Sequence, residues 1–110
     1  MDYALESLVA AALEEDFAGE DLTTLATVPD GARCRARLLV KQQGVLSGLE
    51  PFRLAFELLD AQVQDWHCLS DGAKVTPGTE AASFTGLSRA VLAGERTAMN
   101  FIQHLSGIAT

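Results

Sequence analysis

Arg96, Asn100 and Gln103 stand at intervals of four and three residues near the end of the chain, which on a helix puts them along one stripe. A guanidinium presented by a rigid helix is a good receptor for a carboxylate or phosphate, because its planar fork binds two oxygens at once. The competing reading is a solvated arginine paired with Glu95 or another acid, an arrangement worth little energy. Composition alone favours that second reading. Other reactive sets are sparse. His67 and His104 each lack a Cys, His or acid partner at metal or triad spacing, and read as surface or packing histidines. Cys34 and Cys68 could pair, but two cysteines without metal-like spacing point to free thiols in a reducing cytoplasm. No Gly-rich loop joins a strand to a helix to cradle phosphate, and no nucleophile elbow or Cys–His pairing is present. Neither a catalytic residue nor a metal site is expected in the chain.

The element that must carry Arg96 is a helix running from about Ser88 to Gly107. Ser88 suits an N-cap, its hydroxyl accepting from a first-turn amide, and Leu87 and Leu92 occupy the positions of a hydrophobic staple. Val91, Ala98, Ile102 and Leu105 recur at helical spacing, widened by Leu92, Met99 and Phe101. Gly107 suits the left-handed residue that closes a helix, with Ile108 packing back on the last turn. About five turns are predicted.

The chain has 110 residues, which bounds it to one domain. Hydrophobic residues make up 48% and charged ones 21%, an ordinary globular balance. No apolar run approaches the roughly 18 residues of a membrane span, and the acidic opening MDYALES does not read as a secretory leader. Net charge is −7. With one isolated basic cluster (Arg33, Arg35, Arg37), that balance argues against a nucleic-acid partner.

Ala4, Leu5, Leu8, Val9, Ala12 and Leu13 predict an amphipathic helix from about Asp2 to Asp16. Glu14, Glu15 and Asp16 sit at its C-terminal end, where the macrodipole disfavours acids; pairing with a cation from elsewhere would explain them. Gly19 ends this helix, and Asp21-Leu22-Thr23-Thr24 reads as a turn whose side chains bond nearby amides. After a turn at Pro29-Asp30-Gly31, Arg33, Arg35 and Arg37 alternate with Cys34, Ala36 and Leu38. That is a half-buried strand with a basic wet face, read as solvation and edge protection rather than phosphate binding. Val45-Leu46-Ser47-Gly48 is a short apolar return. A second helix opens at Glu50-Pro51, with Pro51 at its first position, buries Phe52, Ala55, Phe56 and Leu59, and ends at Asp60. A weakly alternating strand covers 63–68, turns follow at Ser70-Asp71-Gly72 and Thr76-Pro77-Gly78-Thr79 (type II), and a last strand covers 81–86. Short connections predict an α+β fold with a mostly antiparallel sheet and a long C-terminal helix.

Glu95-Arg96-Thr97-Ala98-Met99-Asn100-Phe101 followed by Leu105-Ser106-Gly107-Ile108-Ala109-Thr110 resembles the signature closing the N-terminal domain of quinolinate phosphoribosyltransferases (nicotinate-nucleotide pyrophosphorylases, carboxylating). Glu15-Asp16 with Asp21-Leu22-Thr23-Thr24, Gly44-Val45-Leu46-Ser47-Gly48, Asp71-Gly72 and Pro77-Gly78-Thr79 follow the family's order across the whole chain. Glu20 departs from the pattern by separating Gly19 from Asp21. The resemblance implies an open α/β sandwich of hammerhead type over residues 1–110, with a C-terminal α/β barrel lying outside this chain. It implies an enzyme of NAD biosynthesis in the cytoplasm that joins quinolinate to phosphoribosyl pyrophosphate, releasing pyrophosphate and CO2 to give nicotinate mononucleotide. Mg2+ is implied with phosphoribosyl pyrophosphate, outside this domain. The implied assembly is a head-to-tail homodimer in which Arg96 reaches the partner's quinolinate, with Glu95 and Asn100 as possible support. The 110 residues alone would be inactive. Two alternatives are a molybdenum-transport-associated homologue of the family and a biotinyl- or lipoyl-type carrier using Lys41 or Lys74; a third is an interaction module without activity. A barrel-facing last helix should also leave Met99, Phe101 or Ile102 uncovered.

Overall fold

The computed structural model describes residues 3–17 and 31–110. Its elements follow as α1 (Tyr3–Phe17), β1 (Arg33–Leu39), β2 (Gly44–Val45), α2 (Leu49–Glu57), β3 (Gln64–Cys68), β4 (Lys74–Val75), β5 (Glu80–Leu87) and α3 (Ser88–Ala109). Helix α1 includes Phe17, one residue beyond the expected end; Asp2, its expected start, lies outside the described residues. Gly19, the Asp21–Thr24 turn and Pro29-Asp30 lie outside the described residues.

The main sheet has the order β1-β5-β3, and β2 pairs with β4 in a second, two-stranded sheet. Every pairing is antiparallel. Register puts Cys34, Ala36 and Leu38 opposite Gly86, Phe84 and Ala82, so directly opposed side chains share the face that meets the helices. Arg33, Arg35 and Arg37 point to the other face and are exposed. The helices cover one side of the sheet, giving the open α/β sandwich expected. Phe84 joins the layers: its ring lies 4.7 Å from Phe56 of α2 and 4.5 Å from Trp66 of β3. The alternation of β3 is weak because Asp65 has φ of 59° inside a register shift between Gln64 and His67. Aspartate is among the few side chains that tolerate this bulged conformation.

Cys34 and Cys68 are free thiols. They face Gly86 and Ala82 from opposite sides of β5, two strand spacings of about 4.8 Å apart before any offset along the strand. A disulfide, whose Cα atoms lie within about 7 Å, is outside their reach.

Local turn chemistry behaves as the sequence predicts. Gly78 has φ of +92° and Thr79 donates to the Thr76 carbonyl at 3.1 Å, the geometry of a type II turn. Helix α2 begins at Leu49, with Gly48 as its N-cap at φ +97°. Pro51 is therefore its third residue rather than its first, still among the positions where a missing N–H goes unnoticed.

Two features of α3 differ from expectation. Its N-cap is Leu87, without a side-chain cap; Ser88 lies inside the helix. Backbone and remote groups do the capping: Ser88 N–H donates to the Ala32 carbonyl at 2.8 Å and Leu87 N–H to Asp60 Oδ2 at 2.9 Å. The helix also runs through Gly107, which is not left-handed, to Ala109. Tertiary bonds hold that extra turn. Ser106 Oγ accepts from Ser47 N–H and donates to the Ser47 carbonyl, both at 2.9 Å. Thr110 Oγ1 accepts from Val45 N–H at 2.9 Å and donates to the Ser106 carbonyl at 2.8 Å.

Ala90, Gly94 and Ala98 form a buried small-residue line on α3 that lets α2 approach closely. A Cβ on Gly94 would lie 3.1 Å from Phe56 Cδ1 and 3.2 Å from both the Ala55 carbonyl oxygen and Leu59 Cδ1. Gly94→Val is therefore expected to destabilise the domain by about 1–3 kcal/mol through overpacking, read as a lower urea midpoint; an unchanged midpoint would show that α2 can move aside. On the apolar face of α3, Ile102 is buried at 4% exposure, whereas Met99 and Phe101 pack against the core but stay partly uncovered. Exposed apolar side chains include Ile108, Leu8 and Leu92.

Candidate functional site

An α-helix advances about 100° per residue, so Arg96 points away from Ala98 and Leu105, with Asn100 and Gln103 within about 40° of it. Arg96, Asn100 and Gln103 are all exposed, and the predicted stripe exists as a continuous polar edge. Leu92, 40% exposed, lies one turn before Arg96 on the same stripe. Glu95 is exposed but projects about 100° away, as successive helical residues do.

Partners, not burial, separate Arg96 from the other arginines. Arg33 donates to the Gln62 carbonyl at 3.2 Å, Arg35 to Ser83 Oγ at 2.8 Å, and Arg37 pairs with Glu80 at 3.2 Å. Arg53 pairs with Glu57 at 3.2 Å and lies 4.8 Å over the Trp66 ring. Arg89 is also engaged. Among the described residues, Arg96 is the one arginine with no hydrogen bond or ion pair, and Glu95 does not pair with it. The row on β1 thus braces β5 and the turn before β3, and Arg96 forms no ion pair with Glu95 or another acid among the described residues.

A cavity of about 950 Å³ forms a groove between α1 and the second half of α3. Asn100, Gln103 and His104 line it, but Arg96 does not. Its floor is apolar (Leu5, Leu8, Phe101, Leu105) and one end carries Glu15 and Asp16. A dianion would meet like charge there, which disfavours the groove as an anion site.

Two interactions that frame the helix escape sequence reasoning. Asp60 is 5% exposed, and its carboxylate accepts from Gln62 N–H and Leu87 N–H, both at 2.9 Å. Thr97, 1% exposed, donates through Oγ1 to Asp16 Oδ2. The awkward acid at the end of α1 therefore has a partner, although it is a hydroxyl and not a cation. An acid closing one helix and a threonine inside another give no local signal of these contacts.

His67 and His104 are exposed. Among the described residues no three His, Cys, Asp or Glu side chains come together as a metal site. Lys74 lies within β4, and Lys41 lies in the link between β1 and β2, which do not pair with each other. Neither sits at the tight hairpin tip a carrier lysine needs.

Comparison with known proteins follows the same line. The family model for the quinolinate phosphoribosyl transferase N-terminal domain matches residues 21–106. The chain is 34% identical over 110 residues to the chloroplastic nicotinate-nucleotide pyrophosphorylase [carboxylating] of Oryza sativa subsp. japonica, covering 98% of this chain and 29% of that one. It is 36% identical over 96 residues to a probable nicotinate-nucleotide pyrophosphorylase [carboxylating] of Bacillus subtilis (strain 168), covering 87% and 33%. Among solved structures, NadC from Streptococcus pyogenes superposes with a TM-score of 0.88 at 36% identity, over 98% of this chain and 39% of that one. The nicotinate-nucleotide pyrophosphorylase from Francisella tularensis gives 0.84 at 32% identity, over 96% and 38%. The chain thus spans about a third of the length of these relatives. With most of its length matched by the family model and its fold shared with these structures, the chain belongs to the quinolinate phosphoribosyltransferase family, of which it is the N-terminal domain.

Proposed function

We propose that this domain covers a quinolinate site supplied by the barrel of a second subunit, and that Arg96 binds the pyridine dicarboxylate there. The full-length enzyme joins quinolinate to phosphoribosyl pyrophosphate in cytoplasmic NAD biosynthesis, giving nicotinate mononucleotide, pyrophosphate and CO2. The chain's own C-terminal barrel and its partner complete a homodimer. Mg2+ enters with phosphoribosyl pyrophosphate outside this domain, and the 110 residues turn over nothing alone. One observation carries the reading: a single arginine without a partner among the described residues stands on the exposed stripe of the helix that bears the family signature. A planar dianion entering a partly closed site loses hydration that fixed cations must replace. Asn100 borders that cation on the stripe, while Glu95 supports the helix from the side.

Mixed dimers test the arrangement. Subunits carrying Arg96→Ala are combined with subunits whose barrel has been inactivated. If Arg96 serves the neighbour, the intact barrel receives a wild-type Arg96 from its partner, and at low quinolinate the mixture shows more activity than the two parents added together. No such gain on mixing, with dimers confirmed, would mean that Arg96 acts within its own subunit or not at all.

A further inference from the structure

We infer that Thr97, held by Asp16, is a positioning residue for Arg96; the inference rests on the substrate role proposed above. Arg96 has no side-chain partner among the described residues, so its direction is set by the rotation of α3 alone. Most of what seats α3 is apolar, through Ala98, Ile102, Met99 and Phe101, and such contacts have no preferred direction and allow small rotations. Other contacts resist turning. At the ends of α3 these are the bonds of Leu87 and Ser88 to Asp60 and Ala32, and those of Ser106 and Thr110 to Ser47 and Val45. Nearer Arg96 they are the close approach of α2 at Gly94 and the hydrogen bond from Thr97 Oγ1 to Asp16 Oδ2 in the last turn of α1. Thr97 follows Arg96 directly, is 1% exposed, and spans 81 residues of sequence to reach its acceptor. A threonine inside a helix can satisfy its hydroxyl on a carbonyl one turn back; here it goes to the carboxylate of another helix. A charged acceptor makes that bond stronger and more directional than a neutral one.

The test is made in the full-length enzyme. Thr97→Val keeps the branched shape and removes the donor. Its expected effect is a rise of about three- to tenfold in the quinolinate KM, because small misplacements of a binding group are costly. The KM for phosphoribosyl pyrophosphate should stay unchanged. Thr97→Ser, which restores the hydroxyl, should restore the quinolinate KM, and Asp16→Ala should reproduce the valine effect. In an Arg96→Ala background Thr97→Val should add nothing, since the two act through one group. Should Thr97→Val fail to fold, Asp16→Ala, which removes the acceptor without touching α3, carries the same comparison. A quinolinate KM that moves with Arg96→Ala but with neither Thr97→Val nor Asp16→Ala overturns this inference alone. So does a Thr97→Val effect that persists in full without Arg96. No response to Arg96→Ala itself removes the substrate role, and this inference falls with it.

Discussion

Replacing Arg96 by Ala in the full-length enzyme is expected to raise the quinolinate KM about ten- to hundredfold, because a charge-assisted contact is worth about 1.5–3 kcal/mol. The shift should fall on KM more than on kcat if the guanidinium grips a carboxylate equally before and during transfer, as uniform binding does. Stability should barely respond. Arg96 is exposed and has no bond to lose among the described residues, and substitutions of that kind stay within about 0.5 kcal/mol. That pairing of a large kinetic effect with an unmoved melting curve separates a ligand contact from a structural one. Arg96→Lys should recover part of the loss, since it keeps the charge and gives up the two-pronged geometry. Quinolinate kinetics identical to wild type in purified Arg96→Ala enzyme would end the substrate role.

The quinolinate role of Arg96 is what the resemblance of the Glu95–Phe101 signature implies, whereas its place on an exposed stripe is legible from local signals. Arg96, Asn100 and Gln103 share a stripe whenever their segment is helical, and the apolar period from Val91 to Leu105 predicts that it is. The alternation of Arg33, Arg35 and Arg37 with Cys34, Ala36 and Leu38 predicts β1 for the same kind of reason. Pro77 and Gly78 fix their own turn through φ alone. Rules of this kind reach one or two turns along the chain and no further. Gly107 shows the limit: as a glycine after an apolar helix it reads as a terminator. It is overridden by the hydroxyls of Ser106 and Thr110, which reach β2 and the residues after it across 59 and 65 positions. Gly94 carries no local message either; its meaning comes from the Ala55 carbonyl and the Phe56 ring on another helix. The partners of the arginine row, Gln62, Ser83 and Glu80, lie 29 to 48 residues away. What makes Arg96 the candidate, that every other arginine is engaged, is therefore visible only once the chain is folded.

Asp60→Ala is expected to cost the domain about 2–4 kcal/mol, the largest stability loss of any single change considered, although the sequence offers Asp60 only as the end of a helix. Its carboxylate is 5% exposed and accepts from two backbone amides, Gln62 and Leu87. Alanine would leave both donors without an acceptor, at about 1–3 kcal/mol for each that stays buried. Leu87 is also the N-cap of α3 and brings no side-chain cap of its own, so Asp60 supplies from the turn after α2 what Ser88 does not. A negative charge there further opposes the positive end of the helix dipole, by about 0.3–1 kcal/mol. Asp60→Asn should fall between the two, because its one oxygen can keep a single amide while its NH2 faces the other. The readout is urea unfolding of the 110-residue chain, where Asp60→Ala should lower the midpoint and leave the slope unchanged. A midpoint equal to wild type would mean that water replaces the carboxylate at both amides. The entry of α3, and with it the platform under Arg96, would then be held by the Ser88–Ala32 bond and the core alone.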